Sequence, residues 1–128
     1  MTAIIDAAAL LALLLDEPGA QTVMPVLRAS MMSAVNVSES CSRGVERGAT
    51  IAAVLDSIRR FEIAVVPFDL VQARIAAELR PAIKHVGASL GDRACLALAQ
   101  VRGLPIYTGD RRMGSLQGQL GIDIRLIR

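Results

Sequence analysis

Apolar residues fall along this chain in two kinds of block. Short runs rich in β-branched or aliphatic side chains alternate with longer stretches patterned at helical spacing. The first short run, Ala3 to Ile5, ends at Asp6. Ala7 to Leu15 follows as an apolar helix, stopped by the turn Asp16-Glu17-Pro18-Gly19. A second helix is predicted from Ala20 to about Arg28, with Pro25 working against it. Met31 to Ala34 reads as the second strand, with Met31 and Met32 as core. Helices follow from Val35 to Arg47, closed by Gly48, and from Thr50 to Arg60. Ile63 to Val66 gives a third strand ending at Pro67. Asp69 then caps a helix from Leu70 to about Leu79, which Pro81 limits. Leu90 to Arg102 is a helix closed by Gly103, Pro105 to Thr108 a fourth strand, and Ile122 to Leu126 a fifth.

Short strands alternating with helices imply crossover connections and a parallel sheet covered on both faces. The expectation is one three-layer α/β/α domain over residues 1–128, with a short, mainly parallel sheet of about five strands. In such folds the functional crevice lies beyond the carboxyl ends of the strands.

Composition narrows the class. At 128 residues, 53% of them hydrophobic, the chain can bury a core without disulfides or a structural metal. That apolar content and a net charge of +2 exclude disorder. The run from Ala7 to Leu15 is too short for a bilayer, which needs about 20 residues. No basic segment precedes it, so neither a membrane span nor a signal peptide is expected, and the cytoplasm is the expected compartment. Cys41 and Cys95 form no C-x-x-C pair and read as buried thiols. Thirteen arginines against the single Lys84 suit phosphate, since guanidinium offers a planar fork; a genome-wide preference for arginine explains them equally well. With Phe61, Phe68 and Tyr107 the only aromatics, a base-stacking platform is excluded.

The acids at the predicted strand ends carry the chemistry. Asp6 follows the first strand and Asp110 the fourth. Glu39 lies early in the helix after the second strand, and Asp92 opens the helix leading to the fourth. Each has a bland explanation. Asp6 could cap the next helix, Asn36-x-x-Glu39 and Ser89-x-x-Asp92 read as capping boxes, and Asp110 could serve a turn. Together, four acids at one sheet edge point to a site. Like charges at close range need protons or a divalent cation. Mg²⁺ and Mn²⁺ take carboxylate oxygens and polarise phosphoryl groups, which suits phosphodiester hydrolysis.

The segments around these acids carry a resemblance. They are Ile4-Ile5-Asp6-Ala7-Ala8-Ala9-Leu10, Ser33-Ala34-Val35-Asn36-Val37-Ser38-Glu39, Val66-Pro67-Phe68-Asp69, Ser89 to Ala99, and Gly103 to Arg111. The chain resembles the PIN-domain ribonucleases, and among them the VapC toxins of bacterial toxin–antitoxin pairs. That resemblance implies a metal-dependent endoribonuclease leaving a 5′-phosphate and a 3′-hydroxyl. Asp6, Asp92 and Asp110 would ligate Mg²⁺ or Mn²⁺, and Glu39 would ligate or orient the attacking water. Thr108 and Asn36 would support the site. It also implies an RNA substrate, a VapB-type antitoxin, a homodimer, and contact with operon DNA only through the antitoxin. Ala8 departs from the pattern, standing where many PIN domains carry a hydroxyl.

Other candidates are weighed against plainer roles. Arg93 could reach a phosphate or pair with a neighbouring carboxylate. Arg111 and Arg112 could line the RNA path or form a solvated face. His85, the single histidine, excludes a Ser-His-Asp site and reads as a loop residue. A phosphoaspartate receiver needs a late-strand lysine where Lys84 does not fall, and an Asp-x-Asp phosphatase needs an acid at Ala8. The remaining rival is a PIN-like binding module without turnover, acting through its partner.

Overall fold

A computed structural model describes residues 2–128. Five strands, β1 (Ile4–Ile5), β2 (Met31–Ser33), β3 (Ala64–Val66), β4 (Ile106–Thr108) and β5 (Ile124–Leu126), form one sheet in the order β3-β2-β1-β4-β5. Every pairing is parallel, as the alternation of elements predicts. The helices are α1 (Ala7–Leu14), α2 (Ala20–Val23), α3 (Ala34–Glu46), α4 (Ile51–Arg60), α5 (Leu70–Ile83), α6 (Leu90–Arg102) and α7 (Arg111–Gly114). None among the described residues is long and apolar enough to cross a membrane.

Side-chain alternation along the strands splits the core in two. Ile5, Met32 and Tyr107 join Leu10, Val54 and Ile58 on one face of the sheet. Ile4, Ile106 and Ile124 join Ile83, Leu96 and Leu98 on the other. These are the three layers. Helix α1 is buried over most of its length, from Ala7 to Ala12, which accounts for its lack of a polar face.

The chain leaves β1 first toward β2 and β3, then crosses to β4 and β5 on the opposite side. The strand order therefore reverses between β1 and β4, and the crevice expected of such a reversal opens at their carboxyl ends. Ile4 is level with Ile106 and Ile5 with Tyr107. One step further along that register sets Asp6 opposite Thr108.

Several element boundaries differ from the sequence expectation, each for a physical reason. The second helix ends at Val23 and continues only as a 3₁₀ turn over Met24–Val26. Pro25 offers no backbone donor there. Helix α5 instead runs through Pro81 to Ile83. Ile83 is 1% exposed in the second core, and that burial outweighs the missing hydrogen bond. Helix α3 starts at Ala34, capped by the Ser33 hydroxyl, so Asn36 stands inside the helix and is not its cap. Helix α7 falls in a stretch for which no helix is predicted. Lys84–Val86, with His85 at its centre, forms a 3₁₀ turn and no open loop. Cys41 is half-buried and Cys95 fully buried, both as free thiols.

Candidate active site

Asp6 is the centre of the crevice. It is 6% exposed, and its Oδ1 caps α1 by accepting from the Ala9 amide at 2.9 Å. Its Oδ2 accepts from the hydroxyl of Thr108 at 2.5 Å. The helix-capping role foreseen for Asp6 is therefore real, yet it uses one oxygen only. Burial raises the Asp6 carboxyl from the usual 3.8 to about 6, with the nearby charges of Asp92 and Asp110 adding to the effect. The bonds from Thr108 and Ala9 oppose it.

Thr108, fully buried, serves two acids at once. Its Oγ1 donates to Asp6 and accepts from the backbone amide of Asp110 at 2.9 Å. Asp110 caps α7 through the Arg112 amide at 2.8 Å, and its Oδ2 stands 3.4 Å from the Arg112 guanidinium. The sequence leaves Arg112 either lining an RNA path or on a solvated face; in the structure it is exposed and also paired with Asp110. Arg111 is exposed beside it.

Asp92 takes part in a true capping box at the start of α6. The Ser89 amide donates to Asp92 Oδ2 at 2.9 Å, and the Asp92 amide to Ser89 Oγ at 3.2 Å. Glu39 approaches from α3. Asn36, 1% exposed, donates from Nδ2 to Glu39 Oε1 at 2.7 Å and to the Gly91 carbonyl at 3.1 Å. That amide ties the first half of α3 to the first turn of α6. Asn36 Oδ1 is buried without a hydrogen-bond partner.

Two small residues of α6 make the gathering possible, and sequence reasoning missed both. A side chain on Gly91 would overlap the Glu39 carboxylate. Cys95 lies one turn beyond Asp92, completely buried beneath the acids. Burial pushes its thiol well above the ordinary range, and Asp6, Asp92 and Glu39 push it further. One buried sulfur thus feels three of the four acids, while Asp6 feels the fourth, Asp110. Gly91 and Cys95, four residues apart, share one face of α6, but nothing local to them in the sequence marks these roles.

The structure therefore brings Asp6, Glu39, Asp92 and Asp110 to one edge, with Thr108 and Asn36 bonded to them. Arg93 does not join them: its guanidinium donates to the Ala76 carbonyl of α5 at 3.4 Å, and its Nε is buried without a partner. Ala8 is buried against Gly109, and the hydroxyl missing at position 8 is met at Asp6 by Thr108.

Among the described residues, no three acidic, His or Cys side chains stand close enough to enclose an ion as they are. Asp92 is engaged by Ser89 and Asp110 by Arg112. The donor chemistry nonetheless suits a hard divalent cation. The groups are all carboxylates, and the buried Asp6 is disfavoured as an anion by burial and by its two acidic neighbours.

Residues 3–118 match the sequence profile of the PIN domain. The chain belongs to the PIN domain family. No curated protein matches it in sequence. This PIN domain shares its fold with solved structures of low identity. A toxin–antitoxin complex from Klebsiella pneumoniae superposes with a TM-score of 0.73 at 18% identity, over 94% of each chain. The sarcin–ricin-loop-cleaving toxin VapC20 of Mycobacterium tuberculosis gives 0.76 at 17% identity, over 96% of this chain and 99% of that one. VapBC-5 of Mycobacterium tuberculosis, from a toxin–antitoxin family, gives 0.67 at 23% identity, over 98% of each chain.

Proposed function

We propose that this PIN domain is a divalent-metal-dependent endoribonuclease, acting as the toxin of a pair with a VapB-type antitoxin. The observation that carries the reading is the placement of Asp6. A carboxylate that is costly to bury is held at the β1–β4 reversal by Thr108, with Asp92 and Asp110 near enough to raise its pKa and Glu39 acting on the same buried Cys95. Charge crowding of that kind is offset by a cation, and the sarcin–ricin-loop-cleaving relative shares the fold.

In this reading Asp6, Asp92 and Asp110, with Glu39, hold Mg²⁺, for which Mn²⁺ can substitute. When bound, the cation supplies Lewis acidity to a phosphoryl oxygen and neutralises the acids. Glu39, fixed by Asn36, orients the attacking water and accepts its proton. The water oxygen bonds to phosphorus as the P–O3′ bond breaks. The products are a 5′-phosphate and a 3′-hydroxyl that has gained a proton. Thr108 holds Asp6 and the Asp110 backbone in register throughout. Arg111, exposed beside Asp110, is the nearby cation open to RNA; Arg93 would have to leave Ala76 to take part.

The antitoxin and a second copy of the chain are the protein partners of this reading, with operon DNA bound only through the antitoxin. Such contacts would cover apolar side chains that stand out from α4 and α5, such as Ile51, Leu55, Leu70 and Val71.

The test is incubation of total cellular RNA with purified, antitoxin-free protein and Mn²⁺, beside Asp92→Asn, with mapping of the new ends. Discrete cuts carrying 5′-phosphates, absent in the variant and in EDTA, are expected. Identical patterns from wild type and variant would overturn the reading in favour of a binding module.

A further inference from the structure

A groove of about 410 Å³ leads away from Glu39, between α3 and the N-terminus of α6. Helix α3 presents two adjoining stripes. Asn36, Ser40 and Gly44 form the buried one. Ser38, Glu39, Ser42 and Arg43, on the neighbouring stripe, line the groove, and Ser89 and Leu90 form its opposite wall.

Arg43 is the arginine that lines this groove, and like Arg80, Arg93, Arg102 and Arg111 it stands outside the ion pairs of the described residues. Eight arginines, among them Arg28, Arg47 and Arg112, sit in ion pairs with carboxylates. Arg43 is half-buried in the groove and has no hydrogen bond or ion pair with any described residue. It stands four residues, about 6 Å along the helix axis, beyond Glu39, yet does not close on it. Three serine hydroxyls surround the same space. Leu90, 50% exposed, adds an apolar surface that the fold itself leaves uncovered.

We propose that this groove is the subsite for the RNA nucleotide adjoining the scissile bond, with Arg43 taking its phosphate. The inference rests on the nuclease reading and deepens it. A polyanion approaching a cluster of carboxylates needs a cation beside the cluster to hold it there. A guanidinium free of acid partners offers a planar fork for phosphate oxygens. Ser38, Ser42 and Ser89 supply donors for the remaining oxygens and the ribose, and Leu90 packs against the sugar or base. The separation of Glu39 from Arg43 along α3 is comparable with one step of the nucleic-acid backbone.

The experiment measures binding of a fluorescein-labelled, single-stranded 12-nucleotide RNA of mixed sequence by anisotropy. EDTA is present to stop metal-dependent cleavage, and the salt concentration is varied. Arg43→Ala is expected to bind about tenfold more weakly. Its slope of log affinity against log salt should fall by roughly 0.7, the signature of one lost phosphate contact on a single strand. Arg43→Lys should keep the wild-type slope, and Arg28→Ala, a cation already paired with Glu62, should change neither quantity. With Mn²⁺ and excess cleavable RNA, Arg43→Ala should raise KM and leave kcat close to wild type. A purely structural role for Arg43 in the last turn of α3 predicts a lower melting temperature and an unchanged salt slope, and would overturn the subsite. Wild-type binding that Arg43→Ala does not weaken would do the same while leaving the nuclease reading intact. No RNA binding and no cleavage by the wild type would overturn both.

Discussion

Thr108 Oγ1 donates to Asp6 Oδ2 and accepts from the amide of Asp110, so one hydroxyl links acids that lie 104 positions apart in sequence. The link follows from the register of β1 and β4, which sets the residue after Ile5 beside the residue after Tyr107. Thr108→Val keeps the shape and removes both bonds. Asp6 loses a bond that lowers its pKa, so that pKa rises further. The amide of Asp110 also loses its acceptor, a change that typically costs about 1–3 kcal/mol when the group is buried. The acid limb of the pH–rate profile should move to higher pH and activity should drop at least about tenfold. Thr108→Ser should restore most of it. An unmoved acid limb in Thr108→Val would show that the hydroxyl does not tune Asp6.

Asp6 itself gives the metal-free protein a definite pH dependence. Its folded pKa is about 6, against 3.8 without the fold. The folded state therefore binds the proton more tightly. The associated stability is complete below about pH 4 and is lost as pH rises through 6, an effect on the order of 3 kcal/mol. Thermal melts of metal-free protein between pH 4 and 7 should show this decline, and Asp6→Asn should flatten it. Mg²⁺ works in the opposite direction by favouring the anion, so its stabilising effect should grow over the same range. A wild type and variant with parallel pH profiles would contradict the assignment.

How much of this was readable in the sequence depends on what each residue answers to. The strands and the long helices were legible because burial imposes local patterns, and the positions of Asp6 and Asp110 beyond strand ends were legible with them, as at Ile4-Ile5-Asp6 and Ile106 to Asp110. The Ser89–Asp92 capping box was legible too, since it is a contact between near neighbours. Asn36 was misplaced as a cap because Ser33, three residues earlier, offers the same chemistry and holds the helix start. Helix α5 outran its proline because Ile83 answers to a distant core. Gly91 and Cys95 gave no local sign of their roles, which depend on α3 and β1 arriving above them. Arg93 was open to several partners in sequence, and only the packing of α5 on α6 shows it bound to Ala76.

Gly91 tests the approach of Glu39. Its backbone does not require glycine, yet a Cβ there meets the Glu39 carboxylate, the mobile end of a flexible side chain. Gly91→Ala should therefore fold normally, with a melting temperature close to wild type or slightly higher, since alanine favours helix. Glu39 must leave its place beside Asn36, and cleavage should fall by about 10- to 100-fold. Full activity in Gly91→Ala would mean that the position of Glu39 is not critical.

Arg112 occupies Asp110 where a metal ion would compete for the same oxygens. Arg112→Ala removes the competitor. The Mn²⁺ concentration for half-maximal thermal stabilisation should fall by roughly two- to fivefold, the scale expected for one exposed ion pair. A higher requirement would show that Arg112 assists the metal instead.

The most direct test of the site is Mn²⁺ binding to metal-free protein, followed by the loss of the free-ion electron paramagnetic resonance signal. Saturable binding is expected for the wild type, greatly weakened by Asp6→Asn and by Asp92→Asn, with both variants retaining the wild-type circular dichroism spectrum. Binding of equal strength in wild type and both variants, or none in folded wild type, would contradict a cation site built from these acids.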